Sequence, residues 1–425
     1  MTGPTTYPAP RTDLHAEHYD LDLRYRVPTN HLSGRAVVTL VAREPLDRVR
    51  LDLHRLRVGA VGVNGERVRY THRDGRLTAL LPNRVAAGSR LVLAVEDAGR
   101  PVPASSPWGP LGWEELADGA LVASQPTGAP SWFPCVDDPG DRATYRTSVT
   151  VDQPYRAVAH GTLVATRRRS GATTFVYEEA AAPPSYLAAV HVGRYRSEPW
   201  AAPGAPQHVV TTAELAREVS TALADHRSLM THHETLFGPY PFGGYTLVVT
   251  PDTLEIPLEA QGMGVFGINH LRGADRRLLP HELAHQWFGN SVSLASWQHI
   301  WLNEGPACYA EWLWSAASGG ADEHEVARTW HRVLARQPKD LVLADPGYLR
   351  IFDDRVYKRG ALTCYALDRE LGRERFGGLL RAWTSRFAGA TVTTDDFRAL
   401  ALEVAGERAG RVVAGQEAGL AAGGQ

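Results

Sequence analysis

Two neighbouring stretches decide how the chain is read: His281-Glu282-Leu283-Ala284-His285-Gln286-Trp287-Phe288-Gly289-Asn290-Ser291-Val292, then Trp301-Leu302-Asn303-Glu304-Gly305. On a helix, residues i and i+4 share a face, so His281 and His285 can turn both imidazoles toward one metal ion. Glu282 is displaced around the helix and can sit beside a metal-bound water to take its proton. A catalytic zinc wants three protein ligands and one open position. One common pattern takes the third ligand from a histidine six residues beyond the second, after an intervening glycine, but here Phe288 and Ser291 stand at those positions. The other common source is a glutamate on a following helix. Glu304 supplies it, with eighteen residues between it and His285, and it opens an apolar, aromatic run of Ala307, Tyr309, Ala310, Trp312 and Leu313. That run predicts a second helix packed against the first.

Outward from this centre the chain has two textures. Before about residue 200 the pattern is β-like. Tyr19, Leu21, Leu23, Tyr25 and Val27 alternate with Asp20, Asp22, Arg24 and Arg26, the period of a half-buried strand. Further strands are expected at 36–41, 49–53, 77–81, 91–95, 146–151, 173–177 and 187–192, with Asn64-Gly65 and Asp74-Gly75 as turn signals. Many short strands and turns predict an antiparallel sandwich or curved sheet. Pro199–Pro206 reads as a linker. Beyond it, helical periodicity dominates, at 213–236, 279–288, 304–315, 323–335, 360–371, 376–387 and 395–405, with one buried strand at Leu247-Val248-Val249. The expected fold is therefore α+β, with an N-terminal antiparallel β domain at 1–200, a mainly helical domain at 201–410 and a low-complexity, frayed tail at 411–425.

Composition narrows the function classes. Apolar residues make up 44% of 425, enough for large cores. Lys+Arg is 45 against 47 for Asp+Glu, which argues against a nucleic-acid surface as the main business. Only two of the basic residues are lysines, Lys339 and Lys358, so lysine-dependent catalysis has almost no candidates. Three scattered cysteines suggest neither a disulfide framework nor a CxxC metal site. The N-terminal stretch does not look like a signal peptide, and no long apolar run suggests a membrane span. The expectation is a cytoplasmic bacterial protein.

The motif residues resemble the aminopeptidase N and leukotriene hydrolase family of zinc peptidases. HELAHQWFGNSV followed by WLNEG carries that resemblance, and Ala123–Tyr145, Ser185–Tyr195 and Leu236–Phe242 look like further family landmarks. The resemblance implies a saddle-like β domain followed by a thermolysin-like catalytic domain. It implies one zinc per chain, held by His281, His285 and Glu304, with Glu282 activating the water. Val356–Leu362 resembles the family's tyrosine segment and makes Tyr357 the oxyanion donor, with Arg359 in place of the usual lysine. Ile256–Gly262 corresponds to the amine-recognition segment. Glu259 keeps its acidic position there, 22 residues before His281, while the family's glycine and asparagine are absent and Leu258 replaces methionine. Glu255 is a neighbouring alternative. Gln125 matches a residue lining the first substrate pocket.

The implied activity is removal of N-terminal residues from peptides with a free N-terminus, with no nucleic-acid or membrane partner. The rival readings are an endopeptidase or epoxide hydrolase on the same frame, or a non-catalytic scaffold. The large C-terminal helical domain of long relatives has no counterpart in the sequence, which is the expected pattern of a short bacterial form. His299 stands where an aspartate is usual. Pro306 is expected in the first turn of the helix begun by Glu304. His232-His233 reads as a solvated pair on a helix, and Trp297, Trp301, Trp312 and Trp314 as core around the zinc helices.

Overall fold

A computed structural model describes residues 6–200 and 205–417. The alternating stretch at the front is the strand Leu14–Arg26, whose Tyr19, Leu21, Leu23 and Tyr25 are all buried. It pairs antiparallel with His31–Ala42 and parallel with Thr144–Asp152 near the middle of an eight-stranded sheet. The alternation ends one residue sooner than expected. Val27–Thr29 turns as a 3-10 helix containing Pro28, and Asn30 adopts a left-handed conformation. A three-stranded sheet (Leu46–Asp52, Arg76–Val85 and Tyr70–Arg73) and a five-stranded one, which includes Gly109–Leu116 and Gly119–Ala123, complete this half. Their inner faces share one core, where Tyr19 stacks on Tyr145 at 4.9 Å between ring centroids.

The second half begins with a sheet. Its order is Tyr195–Trp200, Gln207–Thr212, Tyr245–Thr250, Met263–Gly267 and Leu258–Ala260, so the last of these is an edge strand. The flanks of the expected linker are thus paired strands, and its residues 201–204 lie outside the described residues. Helices follow: α1 (Ala216–Ala222), α2 (His226–Phe237), α3 (Leu278–Ala284), α4 (Trp301–Ala317), α5 (Glu323–Ala335), α6 (Asp354–Leu371), α7 (Arg373–Arg386), α8 (Thr394–Ala405) and α9 (Glu407–Glu417). The single helix expected over 213–236 breaks around Leu223–Asp225, and both Leu223 and His226 are buried beside the break. Fraying of the tail is not seen over 411–417, where α9 continues and buries Val413; residues 418–425 lie outside the described residues. Among the described residues no helix is long and apolar enough to cross a membrane.

Helix α4 starts at Trp301, earlier than the sequence suggested. Pro306 therefore lies inside the helix and not in its first turn. Helices α4 and α6 cross at Gly305 and Gly360. A Cβ on Gly360 would come 2.7 Å from the Gly305 Cα, so this approach requires glycine. The crossing sets the first turn of α6 beside the residue that precedes Gly305, which is Glu304.

Candidate active site

Helix α3 ends at Ala284, and His285 remains in helical conformation as its cap, with its N–H donating to the His281 carbonyl at 3.2 Å. The i, i+4 relation is therefore kept. The chain then loosens into wider turns, in which Asn290, Ser291 and Val292 donate to the carbonyls of His285, Gln286 and Trp287. From this helix end His281 Nε2 reaches to 3.4 Å and His285 Nε2 to 3.5 Å from Glu304 Oε2 on α4. A tetrahedral ion with bonds of about 2.0–2.1 Å separates its donor atoms by roughly 3.3–3.5 Å, so both imidazole–carboxylate separations suit zinc.

The outward-facing nitrogens are also held. His281 Nδ1 lies 2.8 Å from Glu311 Oε1, and His285 Nδ1 lies 3.1 Å from the Phe288 carbonyl. Protons on Nδ1 donated to these oxygens leave both Nε2 atoms as ligands. Glu311 was not singled out in the sequence. It sits seven residues after Glu304, two helical turns along one face, and that spacing could have revealed it. Its other oxygen accepts from Arg277 at 2.8 Å.

The cluster is electrostatically built for positive charge. Burial alone would push the imidazoles down. Instead Glu304 and Glu311 hold His281 up at about 9, and Glu304 and Glu259 hold His285 up at about 10. Burial would likewise raise Glu304, but the two histidines overcome it and pull this carboxylate down to about 2. Protons bound here occupy the place a divalent cation would take. Glu282 differs. It is 4% exposed, its Oε2 has no hydrogen-bond partner, and burial pushes its carboxyl up to about 8.

Tyr357 lies in the first turns of α6, not ahead of the helix, and Asp353 caps that helix by accepting from the Arg355 N–H. Its ring lies nearly parallel to that of His281, 6.1 Å between centroids. Burial first, and then the Glu304, Glu259 and Glu282 charges, keep the phenol protonated. Arg359 turns away and donates to the Leu341 carbonyl.

Glu259 is on the edge strand Leu258–Ala260, and its carboxylate oxygen lies within 4.8 Å of the Glu282 and His285 donor atoms. Gln125 comes from the β half, and its Nε2 donates to Glu259 Oε1 at 2.7 Å. The edge strand is pinned to the histidine segment: Asn290 Nδ2 donates to the Ala260 carbonyl at 2.8 Å, and the Gly262 N–H donates to Gln286 Oε1 at 3.0 Å. Glu255 is exposed on the preceding loop.

Other expectations sort differently. His299 faces Thr394 at 3.1 Å and joins no ligand group among the described residues. His233 is not solvated as expected. It is fully buried, with Nε2 2.9 Å from the Pro280 carbonyl and an edge-on contact with Trp287, because its side of α2 packs under α3. Trp297, Trp301 and Trp312 are core residues.

Known proteins resemble this chain over both halves. Residues 221–414 match the peptidase family M1 domain and residues 120–187 the peptidase M1 N-terminal domain. Among curated proteins, the chain is 27% identical to aminopeptidase M1-D of Oryza sativa subsp. japonica over 69% of its own length and 36% of that protein. It is 29% identical to aminopeptidase B of Rattus norvegicus over 64% of its own length and 44% of that protein. It therefore spans less than half the length of these relatives. Solved structures match from end to end. An M1 zinc metallopeptidase of Deinococcus radiodurans, a mutant bound to a Tyr-Ser-Ala substrate, is 30% identical with a TM-score of 0.91, covering 99% of this chain and 98% of that one. A two-domain M1 zinc metallopeptidase mutant bound to L-arginine is 31% identical with a TM-score of 0.89, covering 97% and 96%. Yeast LTA4 hydrolase shares the fold at a TM-score of 0.80 and 21% identity. Likeness of this extent, over both halves, makes the chain a member of peptidase family M1.

Proposed function

We propose that the chain is a zinc aminopeptidase that hydrolyses the first peptide bond of substrates with a free N-terminus. The observation that carries this reading is the carboxylate of Glu259 within 4.8 Å of the Glu282 and His285 donors. Within one residue the amine nitrogen and the carbonyl carbon are only about 2.5 Å apart. An ammonium held by Glu259 therefore leaves room for only the first carbonyl to reach the catalytic groups. An acid at this place suits a cation, because a desolvated ammonium needs a charged partner. Gln125 fixes the rotamer of that acid from across the cleft.

His281, His285 and Glu304 would hold the zinc, which when bound would supply Lewis acidity toward the scissile carbonyl and the attacking water. Glu282 offers its unpartnered Oε2 as the acceptor of that water's proton and then delivers the proton to the leaving amine. Burial raises the proton affinity of this carboxyl, which favours the first of these transfers. Tyr357, held as a neutral phenol, donates a hydrogen bond to the developing oxyanion.

The test is Glu282→Gln on an aminoacyl-arylamide, with zinc content measured alongside. The expected result is a fall in kcat of about 10²–10⁴-fold at unchanged zinc occupancy. Near wild-type kcat with zinc bound would sink the mechanism. N-terminally acetylated substrates should be cleaved poorly, and equal cleavage would point to an endopeptidase.

A further inference from the structure

We propose that the amine side of the cleft is also a second divalent-cation site, formed by Glu259, Glu282 and His285 and suited to harder ions than zinc. The proposal rests on the reading of Glu259 as the amine anchor. Two donor groups overlap at His285. The first has two imidazoles and one carboxylate, tightly spaced at 3.4 and 3.5 Å. The second has two carboxylates and one imidazole, with donor atoms within 4.8 Å of one another. Oxygen-rich sets favour hard cations such as Mn²⁺, whereas imidazole-rich sets favour zinc. Glu282 Oε2 points to a ligand independently, since it is a carboxylate oxygen without a hydrogen-bond partner on a side chain that is 4% exposed.

His285 offers only one nitrogen to the cleft, because Nδ1 is held by the Phe288 carbonyl. The two groups are therefore alternative positions for one ion. An ion in the second position engages both the proton acceptor and the amine anchor, so that form is inactive. A free α-amine competes for the same Glu259 carboxylate and drives the hard ion out. The arrangement thus sorts metals: zinc settles in the productive position, and a hard cation is held where substrate can displace it.

The experiment uses the full chain dialysed free of metal, with an unchanged circular-dichroism spectrum as the condition for proceeding. Mn²⁺ binding is followed by electron paramagnetic resonance and Zn²⁺ binding by equilibrium dialysis. One Mn²⁺ per chain is expected. Its Kd should weaken at least tenfold in Glu259→Gln and change less than threefold in Glu304→Gln, and it should rise in proportion to added L-leucinamide. Zinc should show the reverse, sensitive to Glu304→Gln and insensitive to Glu259→Gln, and zinc retention in Glu259→Gln also shows that this variant is folded. In Mn²⁺-soaked crystals the anomalous peak should lie among Glu259, Glu282 and His285. Mn²⁺ binding that ignores Glu259→Gln, follows Glu304→Gln as zinc does, or is absent overturns the proposal. The amine reading fails separately, if Glu259→Gln leaves the preference for free over acetylated substrates unchanged.

Discussion

Two sets of buried acids, Glu304 and Glu311 in the helical half and Asp97 in the β half, are held in opposite ways. Around α3 and α4, Glu304 and Glu311 are each within 3.5 Å of an imidazole nitrogen, and both are held below the ordinary carboxylate range once histidine contacts have overcome burial. In the β half, Asp97 lies on the inner face of the strand Arg90–Gly99, 6% exposed, with no ion pair or hydrogen bond recorded among the described residues and with burial pushing it up to about 7. The first acids stay charged because their partners came with them. The second avoids the cost of burial by holding a proton. Buried acidity by itself therefore does not mark the site; compensated acidity beside an unpartnered Glu282 does.

The comparison breaks most severely at Glu304. In the proposed ligand set Glu304→Gln removes a charged ligand, and loss of metal assistance is worth several kcal/mol, so kcat/KM should fall by about 10³-fold or more. Metal analysis must show zinc lost in parallel, and full zinc occupancy would contradict the ligand assignment. Glu259→Gln should cost roughly 10–100-fold in kcat/KM on free-amine substrates, the worth of one charge-assisted contact. If acetylated substrates lose as much as free ones, Glu259 is acting on the chemistry and not on the amine. Glu311→Gln keeps an acceptor for His281 but removes the charge. Zinc affinity should drop about tenfold, read by competition with a chelator, while kcat at saturating zinc changes little.

These effects also divide what the sequence could tell from what it could not. His281, Glu282 and His285 share one helix turn, so periodicity alone brings them together. Glu304 needed only the inference that a following helix packs back. Glu259 and Gln125 are 134 positions apart in the chain and meet only because the edge strand Leu258–Ala260 faces a loop of the other half. No local pattern encodes such a meeting, and resemblance alone named them. Glu311 was legible by spacing and was overlooked. His233 misled because its neighbour His232 is half-exposed, and two adjacent polar residues gave no sign that α3 covers one of them. Pro306 was misplaced because the start of α4 is fixed by Trp301 packing in the core, not by a capping residue at Glu304.

Asp97 should leave activity untouched and change stability instead. Its folded pKa is raised, so the sign is opposite to that of a salt-bridged acid. Below about pH 4 the carboxyl is protonated in both folded and unfolded chains, and burial costs no ionisation energy. Between about pH 4 and pH 7 the unfolded chain ionises at Asp97 while the folded chain resists, and stability falls as pH rises. Above the folded pKa of about 7 the loss is complete. Three pKa units correspond to about 4 kcal/mol as an upper figure. Asp97→Asn cannot ionise and removes that slope, although its buried amide brings a cost of its own at every pH. Urea midpoints at pH 4.5 and 7.5 isolate the effect, because every other titrating group is common to both proteins. The variant should gain relative to wild type on going from the lower pH to the higher. A constant difference between the two would mean that Asp97 is already ionised in the folded β half. In that case its charge has a compensating partner, as the charges of Glu304 and Glu311 do.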